Sequence, residues 1–177
     1  ESKLARWGVQ PVVSHGRPLR ETEAGVLLAL LCELAVDPGE PVALAALLKH
    51  PRVRLADDAL WALEHRALRG PRKHDTLSDL AGLEKLEKWP RARAIVERTA
   101  EALKPLIALM KQKELTLGAF ADALTTIGEH ISDRDIWQGR DGENAAELLR
   151  EAITYGANLG AMKSYAAPRV LLKLMDG

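Results

Sequence analysis

The choice of aliphatic residues constrains the fold of this chain more than any other feature. Its 177 residues include 30 leucines and 27 alanines but only nine valines and six isoleucines. Leucine and alanine are favourable in helices, whereas β-branched side chains are better suited to strands. Because hydrophobic residues make up 47% and charged residues 28%, the composition predicts a folded helical protein rather than a disordered chain or a β-sandwich.

Apolar residues recur at helical spacing in most of the chain, which predicts an all-α compact array of about seven or eight helices. The clearest stripe follows Thr116 and places Phe120, Leu124 and Ile127 in the core. Other stripes lie at residues 27–34, 60–67, 95–109 and 148–159. Thr22 is suited to an N-cap, and Pro41 and Pro90 are suited to first helical positions. A polar stretch from Ser132 to Asn144 predicts a loop.

Residues 1–21 differ from the rest of the chain. Residues 4–8 are typical of the last turn of a helix, and Val9, Val12 and Val13 then form a short β-prone run. A strand without a partner is not stable alone. We therefore expect residues 1–21 to be the edge of a neighbouring α/β domain in a longer protein, residues 22–177 to be a helical domain, and any sheet to be confined to the vicinity of Val9–Val13.

The sequence predicts neither a catalytic site nor a metal site. It has no phosphate-binding glycine loop, and its five histidines lack ligand spacing. The neighbouring carboxylates are Asp57 with Asp58 and Asp141 with Glu143, and both pairs fall at predicted helix starts, which favours capping roles. The single cysteine, Cys32, lies among leucines and is interpreted as a core residue. A lone cysteine and the lack of a long apolar run favour a cytoplasmic protein that does not span a membrane.

A basic stretch is the strongest candidate for a binding function. Between residues 49 and 73 there are seven cations and three anions, although the whole chain has a formal net charge of zero. The candidate DNA-binding residues are Arg66, Arg69, Arg72 and Lys73. Arg66 and Arg69 lie opposite the apolar face of their predicted helix, so both should be exposed. Weak, sequence-independent phosphate binding is one interpretation, and a solvated helix end is the other.

Several segments resemble a known family. They are residues 4–9, residues 16–19 with Thr22 and Gly25, residues 41–51, residues 64–72 and residues 136–143. Residues 64–72 are similar to an E-x-R-x-L-R-G-P-R stretch, and residues 136–143 are similar to an L-W-x-G-x-D-G-E segment. The resemblance is to the AddB family of bacterial helicase–nuclease subunits, in its alphaproteobacterial form.

This resemblance implies a parent protein that, with an AddA-type subunit, unwinds and resects broken DNA ends. Its cofactors would be ATP and magnesium on motor domains and an iron–sulfur cluster in a nuclease domain, none of them held by this segment. The chain would be the internal helical 2B-type domain, with residues 1–21 at the edge of a motor-like domain. No catalytic residue of the family has a counterpart here.

Two function hypotheses follow. The first is a non-catalytic helical domain of a double-strand-break repair helicase–exonuclease subunit, which helps to form a DNA channel or a subunit-docking surface. The alternative is a free-standing α-helical adaptor that binds a partner helix.

Overall fold

A computed structural model describes residues 13–14, 17–53, 57–69, 76–132 and 136–176. These residues are predominantly helical, which confirms the predicted all-α class. Their α-helices are α1 (Glu23–Val36), α2 (Pro41–Lys49), α3 (Asp57–Ala62), α4 (Leu77–Ala81), α5 (Glu84–Glu87), α6 (Pro90–Met110), α7 (Leu117–Ile131), α8 (Gly139–Tyr155) and α9 (Ala166–Met175). Helix α3 continues into π-helical turns at Leu63–Leu68, and 3₁₀ turns occupy Leu19–Glu21 and Gly156–Leu159.

The predicted end signals are found in the structure. The Oγ1 atom of Thr22 accepts a hydrogen bond from the amide of Gly25 at 3.1 Å, and Thr116 caps α7 in the same way. Pro41 and Pro90 open α2 and α6. These caps occupy amide groups that a helix leaves without an internal partner, so they fix where each helix begins.

Two predicted boundaries are wrong. The spacing of Leu80, Leu83 and Leu86 predicts one helical segment at residues 77–88, whereas the structure has two short helices there, α4 and α5. The polar stretch predicted as a loop up to Asn144 becomes helical at Gly139. Its inward positions hold Gly142 and then Ala145, both buried. Because these small residues give little apolar signal, the first turn of α8 was hidden in the sequence pattern.

The core is a single cluster in which α7 and α1 are the central helices. Phe120, Leu124 and Ile127 are 0%, 0% and 1% exposed, which confirms the predicted stripe. Helix α7 packs against α8 and α6, and also against α9 and α1. Cys32 is buried, and burial raises the pKa of its thiol to about 12, so the core interpretation of this residue is confirmed.

The buried line of α6 is displaced from the predicted stripe. The predicted stripe was Ile95, Thr99, Ala102, Leu106 and Leu109, whereas the buried residues are Ala92, Val96, Thr99, Leu103 and Leu106. Thr99 and Leu106 belong to both lines, and Ile95, Ala102 and Leu109 form a half-buried flank. Helix α6 lies between α4 and α7, so its most buried line faces the middle of that gap. The buried hydroxyl of Thr99 donates to the carbonyl of Ile95 at 2.9 Å.

Two short antiparallel ladders complete the described structure. β1 (Val13–Ser14) pairs with β2 (Arg17–Pro18), and β3 (Glu114–Leu115) pairs with β4 (Met162–Lys163). The second ladder joins the connection before α7 to the segment before α9, so the expectation that any sheet would be confined near Val9–Val13 is wrong. Val9 and Val12 lie outside the described residues.

The proposed division at residue 21 stays a prediction. Val13 pairs with Pro18, only a few residues further along the chain. The sequence suggested a strand without a nearby partner, and the structure shows that it has one. Leu19 is fully buried in the helical core. The described residues just before α1 therefore pack against the helices, wherever a domain boundary lies.

Truncation of Leu124 tests the central position of α7. We expect Leu124→Ala to lower the free energy of unfolding by about 2–5 kcal/mol, because it removes buried methyl groups and leaves a cavity. Chemical denaturation measures this change. Ile153→Ala, at a position of α8 that is 41% exposed, is the control and should cost much less. Equal midpoints for Leu124→Ala and the wild type would contradict the central role of this face.

Candidate nucleic-acid interface

Two of the four predicted DNA-binding cations lie within the described structure. Arg66 and Arg69 are both exposed, at the end of the helical segment that begins with α3. Neither forms an ion pair with a described residue. Arg72 and Lys73 lie outside the described residues, so the structure brings together only half of the predicted patch.

The backbone under these cations is unusual. Leu63–Leu68 form π-helical turns, and the amide of Arg69 donates to the carbonyl of Glu64 at 3.0 Å. Such turns are rare and often occur at functional sites. The wider turn changes which side chains are neighbours along the helix.

An aromatic and cationic cluster results from this widening. In an α-helix the fifth residue along the chain points about 140° away, yet here both His65 and Arg66 lie against Trp61. The rings of Trp61 and His65 are stacked with centroids 4.7 Å apart, and the Arg66 guanidinium carbon is 5.7 Å from the Trp61 ring centroid. Trp89 is tilted against Trp61 at 5.9 Å. We call Trp61, His65, Arg66 and Trp89 the aromatic platform.

Sequence reasoning missed this platform. Trp61 and Trp89 are distant in the chain, and their contact depends on the packing of α6 beside α3. One local signal was available, since a tryptophan followed by a histidine four residues later lies on one helix face. That pair occurs inside the basic stretch. An aromatic ring beside exposed cations indicates a binding surface, whereas a ring in an apolar stripe indicates a core position.

The remaining described cations of the basic stretch have internal partners. Lys49 pairs with Glu64, and Arg52 pairs with Glu23 at 3.1 Å. Arg54 lies outside the described residues. The stretch is therefore less available for binding than its charge count indicates. Among its described cations, Arg66 and Arg69 are the exposed ones that form no ion pair with a described residue.

A polar junction lies beside the start of α1 and ties distant segments together. Arg52 donates from Nε to the Glu23 carboxylate at 3.1 Å and from Nη1 to the carbonyl of Ile136 at 3.0 Å. His50 is 5% exposed, with Nε2 3.0 Å from the carbonyl of Glu23, and Nδ1 accepts from the amide of Arg52 at 3.3 Å. Burial lowers the pKa of His50, despite the opposing contact with Glu23. We call Glu23, His50, Arg52 and Ile136 the polar junction.

Two glycines permit close local approaches of the backbone beside the polar junction. A Cβ atom on Gly25 would lie 1.9 Å from the carbonyl oxygen of Leu19. A Cβ atom on Gly142 would lie 2.5 Å from the carbonyl carbon of Trp137 and 2.7 Å from the oxygen of Ile136. The obstacles are backbone atoms, which cannot rotate away as a side chain would.

The other chemistry-bearing groups have structural roles. Asp58 and Asp141 lie near the starts of α3 and α8, where negative charge is favourable. Within the described ranges, no group of three potential metal ligands converges. In the same part of the chain, no helix combines the length and the apolar character that crossing a bilayer requires.

An open groove of about 1110 Å³ runs beside α6. Its apolar lining includes Val36, Leu77, Ile107 and Met110. Arg93 also lines the groove and is paired with Glu97 at 2.9 Å. The groove has the form of an open surface channel between helices.

Comparisons with known proteins leave the family open. The chain matches no protein-family model, no curated protein and no solved structure. The resemblance described above therefore remains an expectation from the sequence.

Substitution of Gly142 tests the close approach at the polar junction. We expect Gly142→Ala to destabilise the protein by about 1–3 kcal/mol, because the added methyl group overlaps backbone atoms. Gly82→Ala is the matched control, since its Cβ would have its nearest neighbour, the oxygen of Ser78, at 3.5 Å. Thermal denaturation compares the two variants. If Gly142→Ala were as stable as Gly82→Ala, the prediction would be contradicted. The first turn of α8 could then move away from the backbone of Ile136 and Trp137 at little cost.

The buried His50 predicts a dependence of stability on pH. Its pKa is lowered in the folded state, so the unfolded chain binds the proton more readily. Stability from this group is complete above the unfolded pKa of about 6.5 and is lost as pH falls through the lower folded value. We expect the denaturation midpoint to decrease as the pH is lowered from 7 to 5.5. The variant His50→Gln should show a smaller decrease over the same range.

The matched control for His50→Gln is His130→Gln, at an exposed position of α7. This variant should retain the wild-type slope over the same pH range. The interpretation would be contradicted if His50→Gln and the wild type lost stability equally as pH falls.

Proposed function

We propose that this chain is a non-catalytic helical domain of a cytoplasmic DNA double-strand-break repair helicase–exonuclease subunit similar to the AddB family. In this function it contributes to the wall of a DNA channel or to the surface that docks an AddA-type subunit. Catalysis, ATP, magnesium and the iron–sulfur cluster would belong to other parts of that protein.

The observation that supports this proposal most is the packing of the segments that resemble the family. Residues 16–19 with Thr22 and Gly25, residues 41–51 and residues 136–143 are far apart in sequence, yet they lie beside one another at the polar junction. There Nε2 of His50 is 3.0 Å from the carbonyl of Glu23, and Arg52, directly after residue 51, donates to the carbonyl of Ile136. A chance resemblance would have no reason to fall on segments that lie side by side in the fold. Shared motifs at a structural junction are instead expected when the resemblance reflects a common domain.

The exposed cations support the DNA-contacting part of the proposal. Arg66 and Arg69 are exposed and form no ion pair with any residue that the structure describes. Ion contacts to phosphates carry no base information, so binding through them would be independent of sequence. With at most four cations and no net charge, the affinity of this surface alone would lie near the weak ~10⁻⁴ M end of non-specific binding.

Replacement of Arg66, Arg69, Arg72 and Lys73 by alanine in the full natural protein tests this contact. Each lost phosphate contact should reduce the slope of log affinity against log salt by about 0.9 on duplex DNA. Binding to a blunt DNA end is measured by fluorescence anisotropy over a series of salt concentrations. The expected result is weaker binding and a shallower slope.

The matched control replaces the three arginines by lysine, which keeps the charge and should keep most of the slope. An unchanged slope in the alanine variant would show that these cations form only a solvated helix end. The reading frame provides an independent check, since the proposal requires a helicase-like region before this segment and a four-cysteine nuclease region after it. A frame that lacks both would overturn the proposal and leave the alternative of a helical adaptor, whose partner helix would fit the groove beside α6.

A further inference from the structure

We propose that the aromatic platform binds unpaired bases of single-stranded DNA by stacking, with Arg66 against the adjoining phosphate. This inference rests on the proposed function, because it assumes that DNA passes this face of the domain. Beyond the proposed function, it specifies that the bound DNA is single-stranded and that the rings of the aromatic platform contact its bases.

The first argument is the exposure of Trp61. Its side chain remains 46% exposed although the core nearby is well packed. Burying a tryptophan ring is strongly favourable, so leaving nearly half of it in water forgoes stabilisation. A single exposed apolar residue is ordinary, but this one is flanked by a second ring and a cation. The combination is that of a stacking surface.

The second argument is that the rings are already arranged. The planes of Trp61 and His65 differ by only 17°, with centroids 4.7 Å apart. The Nδ1 atom of His65 lies 3.0 Å from the carbonyl of Trp61 and donates a hydrogen bond to it, which fixes the plane of the imidazole. A further flat ring could extend this stack without ordering the side chains first. Binding to such a preorganised surface loses less conformational entropy.

The third argument is the charge beside the rings. Arg66 faces Trp61 and has no carboxylate partner among the described residues, so its charge is available to a phosphate. Two of the acids nearby already have cationic partners, because Asp58 pairs with Arg91 at 3.3 Å and Glu64 pairs with Lys49. These two pairs reduce the repulsion of a phosphodiester chain from this surface.

These features favour single strands over duplex DNA. Base faces are covered by their neighbours in a duplex, so a protein ring reaches them only where the strands are separated. Stacking on an aromatic side chain contributes about 1–3 kcal/mol per base and is tolerant of sequence. A protein that unwinds DNA exposes such bases, and a platform of this kind would hold them apart from the complementary strand.

The experiment compares two ligands with equal charge. One is a labelled ten-nucleotide oligo(dT), and the other is an abasic strand of the same length. Fluorescence anisotropy with the full natural protein should show at least about fivefold tighter binding of oligo(dT), the factor that corresponds to the lower stacking energy. Trp61→Ala should abolish this preference while it preserves salt-dependent binding of the abasic strand.

Two further variants keep the test decisive. Trp61→Phe preserves a ring, so it should retain the preference even if Trp61→Ala folds poorly. Tyr165→Ala removes another exposed aromatic side chain, 61% exposed at the start of α9, and should behave as the wild type.

Each remaining outcome has a definite meaning. Equal affinity of the wild type for both strands would overturn the stacking proposal and leave the proposed DNA contact intact. A preference that survives in Trp61→Ala would place the stacking elsewhere and overturn the assignment to this platform. Failure to bind either strand would overturn the DNA contact itself. Loss of a protein partner in Trp61→Ala, with the base preference unchanged, would show that the platform is a protein-docking surface.

Discussion

Burial of the apolar face of α7 is the interaction on which the packing of the neighbouring helices depends. Phe120, Leu124 and Ile127 are inaccessible to water, and the helices α6, α8, α9 and α1 all pack on α7. None of the short helices could persist alone, because isolated helices of this length are marginal in water. Their stability comes from the shared core, in which α2 packs on α1 and the short helices α3, α4 and α5 pack on α6.

The polar junction adds direction to this otherwise non-directional packing. Hydrophobic burial alone would tolerate some sliding of α1, α2 and the start of α8 past one another. Arg52 removes that freedom, because it must reach both the Glu23 carboxylate and the Ile136 carbonyl. The glycines at positions 25 and 142 act locally, because each lets the chain that precedes α1 or α8 lie close to the first turn of that helix. One arginine therefore helps to set a register that leucine packing does not specify.

The sequence was sufficient for the fold class and for most helix starts, because these depend on local chemistry. The N-caps at Thr22 and Thr116 and the leading prolines are signals confined to four or five residues. The second ladder was not predictable in the same way, since Leu115 and Met162 pair only after α7 and α8 have folded back. The displaced stripe of α6 has a similar origin, because its neighbours on two sides decide which line is deepest.

The candidate interface was predictable only in part, and the reason again lies in non-local contacts. Charge counting identified Arg66 and Arg69 as exposed cations, and helical spacing gave their face correctly. Charge counting also included Lys49 and Arg52, but in the structure these two cations form ion pairs with Glu64 and Glu23, respectively. It gave no weight to Trp61, whose contact with Arg66 depends on the π turn and whose contact with Trp89 depends on the chain just before α6.

That π turn links backbone geometry to the chemistry of the surface. With regular α-helical geometry, His65 would remain near Trp61 but Arg66 would point about 140° away from it. The widened turn brings an aromatic ring and a permanent cation to the same indole, at the cost of less favourable backbone hydrogen bonding. The same turns keep Leu63, Ala67 and Leu68 against the core. One local change of helical period therefore serves the packing beneath the helix and also determines which side chains are neighbours on its surface.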